Sequence, residues 1–336
     1  MERKILVTGG AGYVGCRLVP ALLSNGYGVR VLDNMIYGDE GLSALRNDAE
    51  IVRGDIRDQA AVEKSLSGID SVIHLACISN DPSSDLNPLL TKQINYDGHA
   101  LLVDAAKKEG VNRFIFASSS SVYGIKEEEK VTEDLSLEPL TMYSSSKVFG
   151  EKYLLSIDSP DFTTVVIRPA TICGYSPRQR FDVVVNIFTY SGIKDGVINV
   201  NGGSQKRPNI HIADMVEAYL GLLEADREKI SGKVYNFGGE NHTLLQLAEI
   251  TRDTLKSVKA KIEVKPSTKD SRSYSISSDK IRDELGIEPK RGIGDAVSEL
   301  EEALIWGVIP EPESSRYRNV LRIKEIGAET LLLNQK

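Results

Sequence analysis

The chain has 336 residues, of which 41% are hydrophobic and 26% charged, a composition ordinary for a folded globular protein and a length that suggests about two domains. Its formal charge is −7 and its isoelectric point about 5.4, which excludes an overall basic surface for nucleic acid or anionic membrane. Three scattered cysteines, Cys16, Cys77 and Cys173, carry neither metal-ligand spacing nor a disulfide framework. No apolar run approaches the ~20 residues of a membrane span, so a soluble, cytoplasmic protein is expected.

In chain order, apolar runs rich in Val and Ile predict strands over 4–7, 29–32, 50–53, 71–76, 113–117 and 163–168. Between them lie helical segments at 14–24, 59–66, 88–108 and 142–155. Strands alternating with helices are the signature of βαβ units, and the near-continuous apolar character of the strands is that of a parallel sheet covered on both faces. After residue 168 the alternation fades. Short strands are expected at 197–200 and 234–237, with helices at 212–224, 243–255, 278–285 and 296–306. The organisation expected is α/β: a doubly wound domain over 1–173 and a smaller, mainly substrate-binding portion over 174–336, without a clean boundary between them. The charged run 126–130 reads as a solvated turn.

The first strand runs into TGGAGYVG, in which Gly10, Gly12 and Gly15 have GxGxxG spacing and Gly9 adds an overlapping GxxGxxG. Following a strand and opening a helix, these glycines suit a dinucleotide: a tight turn, close approach of backbone to pyrophosphate, and close helix–sheet packing. Tyr13 and Val14 lie inside the loop. Asp33 ends the next strand, with Asn34 behind it, where a carboxylate accepts the ribose hydroxyls and repels a 2′-phosphate. That favours NAD over NADP, with Arg30 and Arg53 nearby as the counter-indication. The turn at Gly54 brings Asp55 and Ile56 toward an adenine ring.

Tyr143 and Lys147 stand four apart on one face of a predicted helix. A tyrosinate base at neutral pH requires the phenol pKa to fall by about 3 units, roughly 4 kcal/mol. One ammonium about 4 Å away supplies about that much at the effective dielectric of protein sites. Upstream, a strand ends in four serines, 118–121, at the sheet edge where open parallel sheets bind ligands. There a hydroxyl such as that of Ser119 either relays a proton to Tyr143 or merely caps a turn.

Taken together, TGGAGYVG, Asp33, GDI at 54–56, HLA at 74–76, SSSSVYG and YSSSK resemble the extended short-chain dehydrogenase/reductase family of nucleotide-sugar epimerases, dehydratases and reductases, with a UDP-glucose 4-epimerase-like pattern. The resemblance implies a Rossmann-type sheet, bound NAD and a nucleotide-diphosphate sugar substrate. It also implies Tyr143 as base, Ser119 as the catalytic Ser/Thr, Lys147 as the lysine on the nicotinamide ribose, Leu75 and Ala76 beside the cofactor, and Asn95 as the asparagine supporting the active-site helix. Family members commonly pair as homodimers through the helices read here at 88–108 and 142–155. Sugar 4,6-dehydratases of this group carry Asp-Glu directly after the catalytic Ser/Thr; here those positions are Ser120 and Ser121, which disfavours 4,6-elimination.

On the substrate side, QKRPNIHIADM resembles an RDYIHVxD element whose arginine contacts the nucleotide diphosphate, and Arg207 matches it, with Pro208-Asn209 in place of Asp-Tyr. Arg272 is a second candidate for the same diphosphate, since paired guanidiniums offer planar donors to a dianion. Thr171, within RPATICGY, and Ser120 are expected to line the sugar pocket. Arg178 and Arg180 could also reach ligand, but they fall in a loop, where arginines are usually solvated. The four histidines show no metal spacing, so no metal site is expected, and His74 and His211 read as hydrogen-bonded structural residues. The leading expectation is an NAD-dependent epimerase acting at C4. The alternatives are a 4-dehydrogenase or 4-ketoreductase and, from another class, a non-catalytic NAD-binding regulator.

Overall fold

The computed structural model describes residues 3–266 and 273–332. Six strands, β1 (Lys4–Thr8), β2 (Gly28–Asp33), β3 (Glu50–Arg53), β4 (Ser71–His74), β5 (Arg113–Ala117) and β6 (Thr163–Pro169), fall where the apolar runs predict them. Further along the chain come β7 (Thr171–Cys173), β8 (Val197–Asn201), β9 (Lys206–His211), β10 (Lys233–Phe237), β11 (Glu240–Thr243) and β12 (Lys261–Lys265). The main sheet has the order β3-β2-β1-β4-β5-β6-β10 and every pairing in it is parallel. That is the doubly wound, Rossmann-type order, and the strand order reverses beside β1, where such sheets open a crevice at their carboxyl ends.

Side-chain alternation explains why both faces are covered. Ile5 and Val7 of β1 join one core, while Leu6 between them joins the other; Ile115 and Phe114 on β5, and Val165 and Val166 on β6, divide in the same way. Onto the first face pack Leu18 and Leu22 from the Gly15–Ser24 helix, and Met215, Tyr219 and Leu222 from the Ile212–Glu224 helix. The second face is closed by Val62 and Leu66 of Gln59–Leu66, Leu102 and Val103 of His99–Lys108, and Leu154 of Met142–Ser156. Each fully buried aliphatic side chain contributes roughly 1.5–3 kcal/mol of transfer free energy.

Two features follow residue 173 yet belong to this sheet: the Ile212–Glu224 helix and strand β10. The remainder forms a three-stranded sheet, β11-β9-β7, and a β12-β8 pair. The helices Val184–Asp195, Leu244–Thr254 and Ile293–Ile305 enclose a separate apolar cluster around Val185, Leu247 and Val297.

The segment 88–108, expected as one uniform helix, is interrupted. Pro88–Lys92 passes into a wide π-type turn over Gln93–Gly98 before His99–Lys108 continues. Such single-turn bulges redirect side chains and recur at functional sites. Here the turn swings Asn95 inward, where its Oδ1 accepts the Ile78 N–H at 2.7 Å and its Nδ2 donates to Ile78 O at 3.0 Å. Strand β4 stops at His74, short of the expected residue 76, because the Leu75 N–H still bonds Thr8 O at 3.0 Å while the following residues leave the sheet to line the crevice.

Candidate active site

The carboxyl ends of the parallel strands open into one cleft of about 1550 Å³, its open mouth included. At one end lies the glycine-rich loop. Gly9 has φ +73°, and a Cβ there would stand 2.7 Å from the Ala76 backbone nitrogen; a Cβ on Gly15 would collide with the backbone of Gly10. The loop therefore lies as close to β4 and to its own helix as a chain without side chains permits, leaving backbone to face the cleft. Asp33 fixes it, since its Oδ2 accepts the Ala11 N–H at 3.0 Å and its Oδ1 the Met35 N–H at 2.8 Å. Burial pushes the Asp33 carboxyl up, and those two N–H donors pull it down. Arg30 does not reach this corner: its guanidinium donates to the carbonyls of Ser65 and Ser67, both at 2.8 Å.

Tyr13, Val14, Asn34, Asp55, Ile56, Leu75 and Ala76 line the same cleft. Asp55 is gripped by Arg57 through Nε at 2.9 Å and Nη2 at 2.7 Å. Burial acts to raise its pKa, but the Arg57 bonds outweigh it and hold the carboxyl below its usual range.

Farther along, the cleft receives Ser119, Tyr143 and Lys147. The Met142–Ser156 helix presents the last two, and it starts in a capping box in which Thr141 accepts the Ser144 N–H at 3.2 Å and the Ser144 hydroxyl accepts the Thr141 N–H at 3.1 Å. Ser119 caps a turn and also borders the cleft. Its Oγ accepts the Ser121 N–H at 3.1 Å, at the start of the short turn Ser120–Tyr123, beside Tyr143.

The electrostatics correct the sequence expectation. The Lys147 ammonium donates to Ala117 O at 2.7 Å and lies over the Phe116 ring at 4.8 Å; it is 5.9 Å from the Tyr143 ring centre. Tyr143 is half-buried and borders the cleft. Burial first, and then the Cys77 and Asp81 groups, push its phenol up, whereas a hydrogen bond with Ser119 and the charge of Arg180 pull it down. The net shift is upward, opposite to the one expected, because desolvation disfavours phenolate and the lysine is engaged elsewhere.

Asn95 stands behind the wall rather than in it. Besides its bonds to Ile78 it donates to the Ser146 Oγ at 3.3 Å, tying the π-type turn to the active-site helix one residue before Lys147. A buried ion pair supports the other side of that helix: Arg168 grips Glu151 through Nε at 2.9 Å and Nη2 at 2.7 Å, and Ser118 donates to the same carboxylate. His74 and His211 are structural, as expected. The His74 Nδ1 pairs with the Thr8 hydroxyl at 2.6 Å, and the His211 Nδ1 accepts the Ala213 N–H at 3.1 Å at a helix start.

Of the substrate candidates, Ser120 and Thr171 line the cleft and Arg207 does not. Arg207 is buried in β9 opposite His242 of β11, and its Nη1 turns back to Lys206 O at 3.0 Å. Arg272 lies outside the described residues. Arg178 is buried and Arg180 partly buried rather than solvated, and both border the cleft, as the reading that they could reach ligand allowed: Arg180 Nε donates to Asp182 at 2.9 Å, and the Arg178 guanidinium stacks on Tyr37 at 4.0 Å. Sequence reasoning also missed Tyr37, Tyr219, Tyr274 and Asp81, which line the cleft. Tyr274 OH lies 3.3 Å from Ser120 Oγ, and Thr141 donates to Asp81. The one available signal was that PRQRFD places two arginines and an aspartate around an apolar residue, a pattern as compatible with burial as with a solvated loop.

A model of the NAD dependent epimerase/dehydratase family matches residues 5–238. The chain belongs to that family. Its members in the extended short-chain dehydrogenase/reductase group are enzymes that modify nucleotide sugars, and so is this chain. It is 31% identical over 316 residues to a dTDP-glucose 4,6-dehydratase of Streptomyces niveus, covering 89% of this chain and 92% of that one. It is 28% identical over 320 residues to a UDP-glucose 4-epimerase of Bacillus subtilis, covering 86% and 93%. The crystal structure of a UDP-glucose 4-epimerase with UDP-glucose from Thermotoga maritima superposes with a TM-score of 0.82 at 28% identity, covering 91% of this chain and 99% of that one. Epimerase/dehydratase relatives thus include two different reactions at similar identity.

Proposed function

We propose that the protein is a nucleotide-sugar epimerase acting at C4 through a transient 4-keto sugar, with NAD as its resident cofactor. One observation carries the reading: Ser119, Tyr143 and Lys147 share a single cleft with the glycine-rich loop, while Ser120 and Ser121 stand where 4,6-elimination needs carboxylates. The cradle left by Gly9 and Gly15 and the carboxylate of Asp33 fit a dinucleotide with a free 2′-hydroxyl. Residues 9–15, Asp33 and Asn34 would hold its adenosine ribose and pyrophosphate, Asp55 and Ile56 its adenine, and Leu75, Ala76 and Lys147 its nicotinamide riboside.

When bound, NAD supplies the hydride acceptor for the sugar C4–H and the donor that returns the hydride. The chain's own part is the proton. Tyr143 acts as the phenolate, which the positive ring of the oxidised cofactor would favour: through Ser119 it takes the proton from the C4 hydroxyl as that group becomes a carbonyl, and as the phenol it gives the proton back when the carbonyl is reduced on the opposite face. The positive charge of Arg180, and at longer range that of Lys147, stabilises the phenolate present before the proton is taken and again after it is returned. Thr171, Ser120 and the tyrosines near them would orient the sugar.

The alternative, a 4-dehydrogenase or 4-ketoreductase, differs in net redox change. Product analysis by mass spectrometry over a panel of UDP, GDP, TDP and CDP sugars separates the two: an epimer with no added oxidant supports the proposal, and stoichiometric NADH supports the alternative.

We also infer pairing of two copies through the 88–108 segment and the Met142–Ser156 helix. Their outer faces leave Leu89 45%, Met142 37% and Phe149 54% exposed, with Phe149 edge-on to Tyr96 at 6.0 Å. The functional division at residue 173 and a cytoplasmic location belong to the same reading.

A further inference from the structure

Buried polar groups are hydrogen-bonded as a rule, so those without partners point to something that binds them. Among the described residues, three buried side-chain atoms without a hydrogen-bond partner border the cleft: Tyr37 Oη, Arg178 Nε and Arg180 Nη2. All three are donors. Arg180 already has a counter-charge in Asp182 at 2.9 Å. Arg178 forms no ion pair among the described residues, and burial pulls its guanidinium down from its usual range. It stacks on Tyr37 and lies within electrostatic reach of Asp33 and of Cys16 on the first turn after the glycine-rich loop. Its Nη2 is held by Asn319 Oδ1 at 2.6 Å. Asn319 opens the Asn319–Ile326 helix near the end of the chain, and it also donates from Nδ2 to Ser79 Oγ at 2.8 Å and from its N–H to Asp182 at 2.9 Å. The same segment is tied to the loop after Asp33, where Arg322 donates to Ile36 O at 2.7 Å and Arg316 meets Glu40 at 3.1 Å.

We propose that Arg178, with the Tyr37 hydroxyl, binds a phosphate oxygen of the dinucleotide on the side opposite the glycine-rich loop, and that Asn319 positions the guanidinium there, making the C-terminal segment a strap that retains the cofactor. The inference rests on the reading of the cleft as a dinucleotide site. A planar guanidinium suits a pyrophosphate oxygen, and three unpaired atoms that can all donate, at the cofactor end of the cleft, suit an acceptor-only group.

The test is calorimetric titration of protein stripped of carried dinucleotide with ADP-ribose, adenosine and UDP, comparing wild type with Arg178→Gln, Arg178→Lys and Asn319→Ala, each checked by circular dichroism. We expect Arg178→Gln to weaken ADP-ribose 10- to 100-fold and Asn319→Ala about 3- to 10-fold, with adenosine unchanged; Arg178→Lys keeps charge without the fork and falls between wild type and Arg178→Gln. Unchanged ADP-ribose affinity in a folded Arg178→Gln or Arg178→Lys variant overturns the inference alone. So does an equal loss for adenosine, which marks a structural role, or a loss confined to UDP, which assigns the anion to the substrate. A wild type that binds neither ADP-ribose nor NAD overturns the dinucleotide reading itself.

Discussion

Lys147 donates from its ammonium to the Ala117 carbonyl at 2.7 Å, at the last residue of β5. The same bond that fixes this lysine against the sheet edge holds it away from the Tyr143 hydroxyl, so phenol and ammonium share a helix face without forming a direct pair. Burial then pushes the Tyr143 phenol up, against the phenolate, as long as no cationic ring lies beside it.

Tyr143→Phe is therefore expected to lower kcat by about 10²- to 10⁴-fold, the usual contribution of a positioned acid–base group, while leaving ADP-ribose affinity intact. Ser119→Ala should cost less, since water can replace a relay hydroxyl. Steady-state turnover and calorimetry on the same samples check both.

The phenol's raised pKa has its own signature. Folded Tyr143 ionises above the ordinary value near 10, so the fold's stability is complete below about pH 10 and falls as pH rises past it, where the unfolded chain ionises first. Difference ultraviolet titration of wild type against Tyr143→Phe should show no tyrosinate from this residue at roughly pH 10. A tyrosinate signal at neutral pH would restore the lysine-activated picture.

Two buried histidines predict acid sensitivity. His99 packs on Phe116 at 4.3 Å and pairs through Nε2 with Gly150 O at 3.1 Å; burial, then the Lys147 charge, lower its pKa to about 3. Unfolding takes up a proton between about 6.5 and about 3, so stability is full above pH 6.5 and declines below it, by about 2 kcal/mol for His99 at pH 5. His74 adds to the decline in the same direction. Urea unfolding at roughly pH 7.5 and pH 5 should show that His99→Gln reduces this pH dependence.

Asn95→Ala removes three buried hydrogen bonds at once and exposes none of the partners to water. A loss of about 1–3 kcal/mol is expected from leaving the Ile78 groups unpaired, together with a lower kcat, because Ser146 no longer anchors the helix turn that carries Lys147. Thermal melts and turnover measure the two effects separately.

Pairing of two copies is tested with Phe149→Glu and Leu89→Glu. Light scattering should report a dimer for wild type and a monomer for the double variant; a wild-type monomer would remove the pairing.

The doubly wound sheet was legible because buried parallel strands have to be apolar on both faces, so Ile5, Leu6 and Val7 announce a strand without any partner in view. The glycine loop and Asp33 were legible for a related reason: their chemistry is local in sequence. Strands β7, β9, β11 and β12 were not, since they carry no continuous apolar run and gain their pairing from residues elsewhere along the chain. The burial of Arg178 was not legible because the burial of a guanidinium depends on what arrives around it, here Tyr37 and Asn319 from two distant segments. The Tyr143 shift was misread because four-residue spacing reports a shared helix face but is silent about the carbonyl that captures the lysine.

The central claim, reversible oxidation at C4 by a proton-relaying tyrosine, is tested most directly by turnover of a nucleotide sugar deuterated at C4 in ordinary water with no added oxidant. The account predicts the C4 epimer with deuterium retained at C4 and no accumulation of NADH. A product lighter by one water, a released 4-keto sugar, or loss of the label to solvent would contradict it.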